Sequence, residues 1–391
     1  MAENTDNKEK QPQLMSRRSF LQKSALMGAA FLAASSVIPQ ETEAKGRSRA
    51  NKSGHMNISG RRTLGSGSAA LTVSALGFGC MGMNYNRSVL PSRKECIKVI
   101  REAVERGVTL FDTAIIYGPL INEELVGEAL APYKGQVAVT TKFGHEVING
   151  KATGRQNSRP EIIRRYCEES LRRLRVDCLK MFYQHRLDRN VPIEEVAGTI
   201  GDLIKEGKVK RWGVCEVSAD TIRRAHAVTP LTAVQSEYHL MFRDVETNGV
   251  LDACRELGIG FVPYSPMNRG FLGGAINEYT RFDTNNDNRQ TLPRFLPENI
   301  RLNTRIVNEL QEFGRRRGMT SAQVALAWLL AKAPFIVPIP GTTKLAHLEE
   351  NLRAADMPLS AADVRELEAA VGRFPVVGDR YPAEQQRQVQ S

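Results

Sequence analysis

Four residues in the first half of the chain carry side chains that together could protonate a carbonyl oxygen. Each lies at or just beyond the end of a short apolar run of the kind that forms a buried strand. They are Asp112 and Tyr117 in residues 111–118, Lys142 in residues 139–144, and His185 in residues 182–186. In a barrel of parallel strands, the carboxyl ends of the strands converge on one mouth. The four side chains are therefore candidates for a single active site.

The candidate chemistry is the reduction of an aldehyde or ketone, which needs a proton donor beside the carbonyl oxygen and a hydride donor beside the carbon. A tyrosine with its ordinary pKa of ~10 holds its proton too tightly at neutral pH. We expect Lys142 to lower the pKa of Tyr117, because a nearby ammonium stabilises the phenolate. We expect Asp112 to keep Lys142 charged and in place.

Each of the four residues also has a structural interpretation. Asp112 could cap the following loop, Tyr117 could be an ordinary loop aromatic, and a lone histidine such as His185 is more often structural than catalytic. A buried Lys142 without a partner would be costly. The catalytic interpretation rests on the four residues occurring together.

Alternating strand-like and helix-like segments indicate what positions these side chains. The strand-like segments are residues 75–80, 109–112, 137–141, 179–183, 211–214, 233–235, 260–263 and 335–338. Helices between them imply parallel strands with right-handed crossovers, and eight such units favour closure into a (β/α)8 barrel. The rival is an open doubly wound sheet. Residues 77–82 spell GxGxxG, but the next helix begins only near Ser92, so the dinucleotide-binding context is missing.

Two helix starts carry capping signals. Ser92 and Glu95 predict a capping box, and Ser158 and Glu161 predict a second one with Pro160 in the first turn. The second helix continues with an apolar stripe at helical spacing, which predicts one buried face.

The remaining segments divide the chain into domains. Residues 45–60 are polar and rich in Gly and Ser, so we expect a flexible linker before a barrel of residues 61–372. The connection of residues 267–300 is too long for a plain barrel loop and follows the seventh strand, so we expect it to overhang the mouth. Residues 373–391 are polar and predict a loosely attached C-terminal tail.

The sequence resembles the aldo-keto reductase family over about residues 61–372. The runs described above carry the resemblance together with further runs in the family's order and spacing, at residues 213–218, 234–238, 264–266, 269–272, 337–344 and 348–351. The resemblance implies a TIM barrel of the aldo-keto reductase type and an NAD(P)H-dependent carbonyl reductase. It implies that Tyr117 is the general acid, that Lys142 tunes it and that Asp112 pairs with Lys142. It also implies that His185 orients the carbonyl.

The resemblance further implies NADP as the cofactor, with NAD as the alternative. The residues expected at the nicotinamide are Cys215, Glu216 and Gln235 against its carboxamide and Tyr264 stacked on its ring. The residues expected to clamp the pyrophosphate are Ser265, Met267, Arg269 and Leu272, and Pro266 and Gly270 in the same run are also expected to bind the cofactor. Many relatives have Ser in place of Cys215, and a thiol is a poorer hydrogen-bond donor. For Met267 and Leu272, packing at the barrel rim is the alternative.

A second region resembles the part of the family that holds the 2′-phosphate and adenine of NADP. Its residues are Gly341, Thr342, Thr343, Lys344, His347, Glu350 and Asn351. Backbone N–H groups at a helix start bind phosphate, and Lys344 adds charge. Many relatives carry Arg in place of His347, and a neutral His does not grip phosphate as Arg does. The preference for NADP over NAD is therefore open, and a simple capped helix is the structural alternative.

The first 44 residues are predicted to be a signal peptide. Arg17 and Arg18 precede the apolar stretch of residues 25–38, and the arrangement resembles a twin-arginine export signal. It predicts recognition by the twin-arginine export machinery, cleavage after Ala44 and a periplasmic location. The stretch is too short and too rich in Ala and Ser for a comfortable membrane span. An uncleaved N-terminal anchor is the alternative.

Composition limits the remaining functions. The formal net charge is +11, but the basic residues are spread along the chain and no nucleic-acid motif is present, so we expect no nucleic-acid partner. The six cysteines form no CxxC pair and no zinc spacing, so we expect no metal and no disulfide framework. Free thiols fit a protein that folds in the cytoplasm before export.

Two functional classes follow. The first is a reductase of small carbonyl compounds, with quinones as a further substrate class. The second is a slow or non-catalytic nucleotide-sensing protein of the potassium-channel beta-subunit type, which shares the aldo-keto reductase fold. The four intact polar residues and the predicted export signal argue against the second class. The sequence leaves the substrate and the oligomeric state open.

Overall fold

The computed structural model describes residues 58–87 and 89–389. The predicted signal peptide and residues 45–57 of the predicted linker lie outside these ranges. Within them, no helix has the length and apolar character needed to span a membrane. The strands are β1 (Arg61–Leu64), β2 (Leu71–Ser74), β3 (Phe78–Gly79), β4 (Leu110–Asp112), β5 (Ala138–Phe143), β6 (His145–Ile148), β7 (Lys151–Gln156), β8 (Met181–Gln184), β9 (Trp212–Cys215), β10 (Ala233–Glu237) and β11 (Gly260–Tyr264).

Seven parallel strands form the central sheet in the order β3, β4, β5, β8, β9, β10, β11, which is their order along the chain. Residues 335–340 take the eighth position and hydrogen-bond to both edges of this sheet. The Val337 N–H donates to the Phe261 carbonyl at 2.9 Å, and the Gly77 N–H donates to the Pro338 carbonyl at 2.9 Å. The sheet therefore closes on itself, which confirms the predicted (β/α)8 barrel and excludes an open sheet.

The eighth strand lies where the sequence predicts it but lacks a regular ladder. Pro338 and Pro340 have no N–H to donate toward β3. Their carbonyls still accept hydrogen bonds from Gly77 and Gly79 at 2.9 and 3.2 Å. Closure at this seam therefore lacks the hydrogen bonds that the N–H groups of residues 338 and 340 would otherwise donate.

The helices surround the barrel. They are α1 (Arg93–Glu105), α2 (Ile121–Leu130), α3 (Pro160–Leu174), α4 (Ile193–Lys205), α5 (Ala219–Val228), α6 (Val250–Leu257), α7 (Pro297–Arg315), α8 (Ser321–Lys332), α9 (Leu345–Arg353), α10 (Ala361–Val371) and α11 (Ala383–Gln386). The capping box at Ser92 and Glu95 is confirmed. The one predicted at Ser158 is wrong, because α3 has Arg159 as its N-cap and the Ser158 hydroxyl instead accepts a hydrogen bond from the Gln184 side chain at 3.0 Å.

The β1–β2 hairpin covers the amino-terminal end of the barrel. Leu64 and Val73 of the hairpin are buried with apolar side chains from inside the barrel. At Gly260, the first residue of β11, an added Cβ would lie only 2.4 Å from the Leu64 side chain, so only glycine permits this close approach. Because this end is covered, the carboxyl ends of the strands form the accessible mouth.

Two segments lie at that mouth. The connection of residues 267–300 contributes Met267, Arg269 and Arg289 to the lining of a cavity there, as expected. The expectation of a loosely attached tail is wrong for residues 373–389. The Val377 backbone exchanges two hydrogen bonds with the Asn303 side chain at 2.8 and 2.9 Å, and the Arg380 side chain is buried. Ion pairs and hydrogen bonds hold this segment together with Phe374, Val376 and Tyr381, which pack against the hydrophobic core.

Candidate active site

The ends of β4 and β5 bring together three of the four predicted catalytic side chains. The Lys142 ammonium donates to Asp112 Oδ2 at 2.5 Å, to the Thr113 carbonyl at 2.8 Å and to the Tyr117 hydroxyl at 3.2 Å. These three bonds use all three hydrogens of the ammonium. The Tyr117 oxygen therefore accepts from Lys142, and its own hydrogen remains available to the cavity that Tyr117 lines.

Asp112 is held by more than Lys142. Its Oδ1 accepts hydrogen bonds from the Thr140 hydroxyl at 2.8 Å and from the Gln235 amide at 3.0 Å. All of these side chains are buried. Because each polar group has a partner, the arrangement is rigid and fixes Lys142 in one position.

Burial dominates the ionisation of Tyr117. Burial raises its pKa and Asp112 adds to that rise, whereas Lys142 lowers it, and the result is a pKa of about 12. The expected lowering by Lys142 is therefore present as a contribution but is outweighed by burial. The pKa of Lys142 is raised despite its own burial, because Asp112 and Tyr117 stabilise the ammonium. At neutral pH the site thus holds a protonated phenol beside a charged lysine.

His185 lies beside this group, with its ring centroid 5.8 Å from that of Tyr117 in an edge-on orientation. A second histidine, His145 at the start of β6, packs edge-on against it at 4.8 Å. Burial lowers the pKa of both, and the charge of Lys142 lowers it further, so that of His145 falls to about 3. Both rings are neutral at physiological pH. In the described part of the chain, His185 Nδ1 has no hydrogen-bond partner.

A cavity of about 520 Å³ opens at the barrel mouth beside Tyr117. Sixteen of the predicted site residues line it. They are Asp112, Tyr117, Gln235, Tyr264, Ser265, Pro266, Met267, Arg269, Gly270, Gly341, Thr342, Thr343, Lys344, His347, Glu350 and Asn351. The structure therefore gathers in one cavity Asp112, Tyr117 and most of the residues that the resemblance assigned to the two ends of a nucleotide.

Three predicted cofactor residues lie behind the cavity wall. Cys215 ends β9 as a buried thiol, and burial raises its pKa to about 12, so it stays protonated. The Glu216 carboxylate accepts the Glu237 N–H at 2.8 Å and pairs with Arg380 at 2.7 Å. Leu272 is fully buried and packs in the hydrophobic core.

The adenine-side residues lie where α9 begins. Lys344 is the N-cap of α9, and within the described structure no side chain caps this helix start. Its first N–H groups can therefore serve an anion. His347 is exposed in the first turn and lines the cavity.

Left-handed backbone marks the ends of two strands of the barrel, β9 and β11. Glu216 directly follows β9 with φ +56°, and Ser265 directly follows β11 with φ +49°. A non-glycine residue in this conformation costs ~1–3 kcal/mol and is typical of functional sites. Both residues follow the carboxyl ends of their strands, where the resemblance places the nicotinamide.

Sequence reasoning missed several charged residues at the mouth. Arg87 and Arg289 line the cavity together with Arg269. Burial, followed by repulsion from Arg289 and Arg269, lowers the pKa of Arg87 to about 10, so it remains charged. Glu237 pairs with Arg269 at 2.9 Å. The sequence contained a signal for Glu237, because it lies two residues after Gln235 on β10 and therefore faces the same side as that predicted site residue. Arg87 and Arg289 lie outside the strands and the long helices, and no sequence pattern identified them.

No group of three or more His, Cys, Asp or Glu that could hold a metal occurs among residues 58–87 and 89–389. The six cysteines are free thiols, five of them buried.

Comparisons with known proteins agree with this geometry. The sequence profile of the aldo/keto reductase family matches residues 75–371. A probable aldo-keto reductase 1 of Glycine max is 44% identical over 319 residues, which are 81% of this chain and 90% of that protein. The structure of a glycerol dehydrogenase from Gluconobacter oxydans has a TM-score of 0.72 and 26% identity, over 80% of this chain and 96% of that one. A thermostable aldo-keto reductase in complex with the inhibitor epalrestat has a TM-score of 0.64 and 25% identity, over 80% and 100% of the two chains.

Proposed function

The chain belongs to the aldo-keto reductase family and is an NAD(P)H-dependent oxidoreductase; from this we propose that it reduces an aldehyde or ketone to the alcohol with NADPH, and that Tyr117 is the general acid. The observation that carries the proposal is the hydrogen bonding of Lys142. Its ammonium is held by Asp112 and Thr113 and donates its third hydrogen to the Tyr117 oxygen. The Tyr117 proton is thereby left for a carbonyl oxygen in the cavity.

The chemistry of the cavity lining fits a dinucleotide that carries phosphates. Arg87, Arg269, Arg289 and Lys344 supply positive charge, and the uncapped start of α9 supplies backbone N–H groups. Tyr264 lines the same cavity and offers a ring face for the nicotinamide. Bound there, the reduced cofactor would supply the hydride to the carbonyl carbon.

The protein's own side chains move the proton. Tyr117 gives its proton to the carbonyl oxygen, and Lys142 stabilises the phenolate that remains. His185 is neutral, so it can donate one N–H to the same oxygen without repelling Lys142. Because Asp112 is fully hydrogen-bonded, Lys142 keeps its position while the charge on Tyr117 changes.

The test is turnover with a panel of substrates. Oxidation of NADPH is followed by absorbance with aldehydes, ketones and quinones, using the wild type and Tyr117→Phe side by side. We expect wild-type turnover with at least one carbonyl class and a large loss in the variant. Tight NADPH binding without turnover on any class would favour the nucleotide-sensing alternative and overturn the reductase proposal.

We also propose that the protein is exported by the twin-arginine route to the periplasm. The support is the Arg17–Arg18 pair before an apolar stretch, in residues outside the described structure. Free cysteines at all six positions support it further, because a barrel without disulfides can fold in the reducing cytoplasm. Export of a folded protein would allow the nucleotide to be loaded where it is made.

A further inference from the structure

The C-terminal segment inserts an arginine behind the cavity wall. Arg380 Nη2 lies 2.7 Å from Glu216 Oε2, and its Nε donates to Glu237 Oε2 at 3.0 Å. The same Nη2 donates to the Tyr264 hydroxyl at 2.8 Å. The Arg380 side chain is 4% exposed, although it comes from a segment beyond the family match, which ends at residue 371.

Charge balance makes Arg380 necessary at this place. Glu216 and Glu237 are both buried, and Arg269 pairs in a bidentate manner with Glu237 alone. Within the described ranges, Arg380 is the one cation that forms an ion pair with Glu216. Without it, Glu216 would be a buried carboxylate with no ion-pair partner among the described residues, which is unfavourable.

Arg380 also fixes the orientation of Tyr264. The Tyr264 hydroxyl is held from two sides, by Arg380 and by the Tyr381 hydroxyl at 2.9 Å. The Tyr381 ring is in turn covered by the Arg269 guanidinium at 5.3 Å from its centroid. A tyrosine ring whose hydroxyl is anchored cannot swing, so the face that Tyr264 presents to the cavity is fixed.

We propose that Arg380 is a positioning residue for the nicotinamide end of the cofactor, and that the C-terminal segment thereby completes the site. The proposal rests on the function proposed above. Arg380 holds the Tyr264 ring as a stacking surface at the cavity, and it compensates the charge of the Glu216 carboxylate behind the cavity wall. The stacking surface acts on the nicotinamide, and neither residue lies on the adenine side, where Lys344 and His347 line the cavity.

A pair of ligands separates this role from a general effect on folding. NADPH carries the nicotinamide, whereas 2′,5′-ADP carries only the adenine and the 2′-phosphate. Arg380→Ala is expected to weaken NADPH binding by about ten- to hundredfold, the range for losing a hydrogen bond to a charged group. Binding of 2′,5′-ADP should stay within about twofold, because its partners are untouched. Both affinities are measured by titration calorimetry.

Rescue tests the charge argument. In Arg380→Ala with Glu216→Gln, no buried carboxylate is left unpaired at this position, so NADPH affinity should recover by about tenfold relative to Arg380→Ala. Arg380→Lys should lie between the wild type and Arg380→Ala, since it keeps the charge but not the forked geometry. Arg373→Ala is the matched control, because Arg373 pairs with Glu309 at 2.7 Å in the same segment but is exposed. It should leave both ligands unaffected.

The outcomes are distinguishable. Equal weakening of NADPH and 2′,5′-ADP, or no weakening of either, overturns the positioning role, as does failure of Glu216→Gln to restore affinity. If Arg380→Ala does not fold, judged by circular dichroism, Arg380→Lys and the double variant decide by the same comparison. A wild type that binds 2′,5′-ADP but not NADPH would instead overturn the proposed function.

Discussion

Lys142 and Asp112 form an ion pair inside the barrel, with the ammonium 2.5 Å from Oδ2 and the two side chains 0% and 4% exposed. A buried lysine in this position keeps its charge because the Asp112 carboxylate and, to a smaller extent, Tyr117 stabilise the ammonium. The pair therefore has two consequences, one for the stability of the barrel and one for the proton on Tyr117, which shares the ammonium.

Removal of Asp112 tests the first consequence. Asp112→Ala leaves the buried Lys142 ammonium without its counter-charge, so we expect a loss of ~3–5 kcal/mol in the free energy of unfolding. Urea denaturation at neutral pH measures it. Asp177→Ala is the control, because Asp177 pairs with Lys134 at 2.7 Å on the surface, where such pairs contribute little. Similar losses in the two variants would contradict a special role for burial.

Tyr117→Phe removes the proposed acid while keeping the ring. We expect kcat for carbonyl reduction to fall by ~10²–10⁴-fold, the usual contribution of general acid catalysis. NADPH affinity should change by no more than a few fold, because the hydroxyl acts in the transition state. Steady-state rates and a fluorescence titration provide both numbers. Turnover above about a tenth of the wild-type value would remove Tyr117 from this role.

The raised pKa of Tyr117 predicts opposite pH dependences for the two directions of the reaction. Carbonyl reduction needs the protonated phenol, which persists up to its pKa of about 12. Alcohol oxidation needs the phenolate, whose population rises about tenfold per pH unit below that value. We therefore expect reduction to be nearly flat from about pH 7 to pH 9 while oxidation rises steeply.

Initial rates in both directions, in one buffer series, measure these profiles. His185 should add no inflection, because burial and Lys142 hold its pKa well below the ordinary value. A reduction rate that falls with a midpoint near neutral pH would mean that another group titrates in the mechanism. Any pH dependence of the rate that persists in Tyr117→Phe belongs to a group other than the tyrosine.

The sequence predicted the centre of the site because strand ends in a parallel barrel meet by construction. Asp112 and Lys142 end neighbouring strands, so short apolar runs were enough to place them together. A prediction from local pattern alone failed at Ser158. The pattern there predicted a helix cap, but the Ser158 hydroxyl accepts a hydrogen bond from the distant Gln184 side chain instead. A local sequence pattern determines the hydrogen bonding of a residue only where no distant side chain offers a better partner.

The ion pairs around Glu216 had no local signal at all. Arg380 follows Glu216 by more than a hundred and sixty residues, and neither lies in a periodic pattern. A polar C-terminal segment is usually loose because it buries little apolar surface. Here the buried charge of Arg380 holds it together with apolar residues packed against the core, and the partner of a buried charge cannot be read from composition.

Lys344→Ala tests which phosphate the adenine end recognises. Lys344 stands at the start of α9 and lines the cavity. Loss of its ammonium should weaken NADPH by about tenfold or more, the range for a charge-assisted hydrogen bond, and NADH by much less, because NADH lacks the 2′-phosphate. Calorimetric titration of both nucleotides measures the ratio.

His347→Arg is the matched gain-of-function variant at the same end. A forked, permanently charged guanidinium should tighten NADPH relative to NADH. Equal weakening of both nucleotides in Lys344→Ala would assign Lys344 to the fold or to the shared pyrophosphate. Even then, His347→Arg should increase the affinity for NADPH more than that for NADH if the 2′-phosphate lies near α9.

The order of folding and export gives the last prediction. Nicotinamide cofactors are made inside the cell, so a barrel exported unfolded would meet little cofactor afterwards. The six free cysteines are compatible with folding in a reducing compartment. A paired-arginine signal is an address read by a receptor, and a general secretory signal does not need it. The arginine pair should therefore couple export to a folded, nucleotide-loaded barrel.

Replacing both arginines by lysine keeps the charge but removes that address. Arg17→Lys with Arg18→Lys should trap the precursor in the cytoplasm, folded and carrying its nucleotide. Fractionation after induction locates the protein, and mass spectrometry of the purified precursor identifies the bound nucleotide. Lys23→Arg is the control, since it changes a basic residue of the same region outside the pair. If the double-lysine precursor is processed and exported at the normal rate, the twin-arginine assignment is wrong, and the protein would have to acquire its cofactor after secretion.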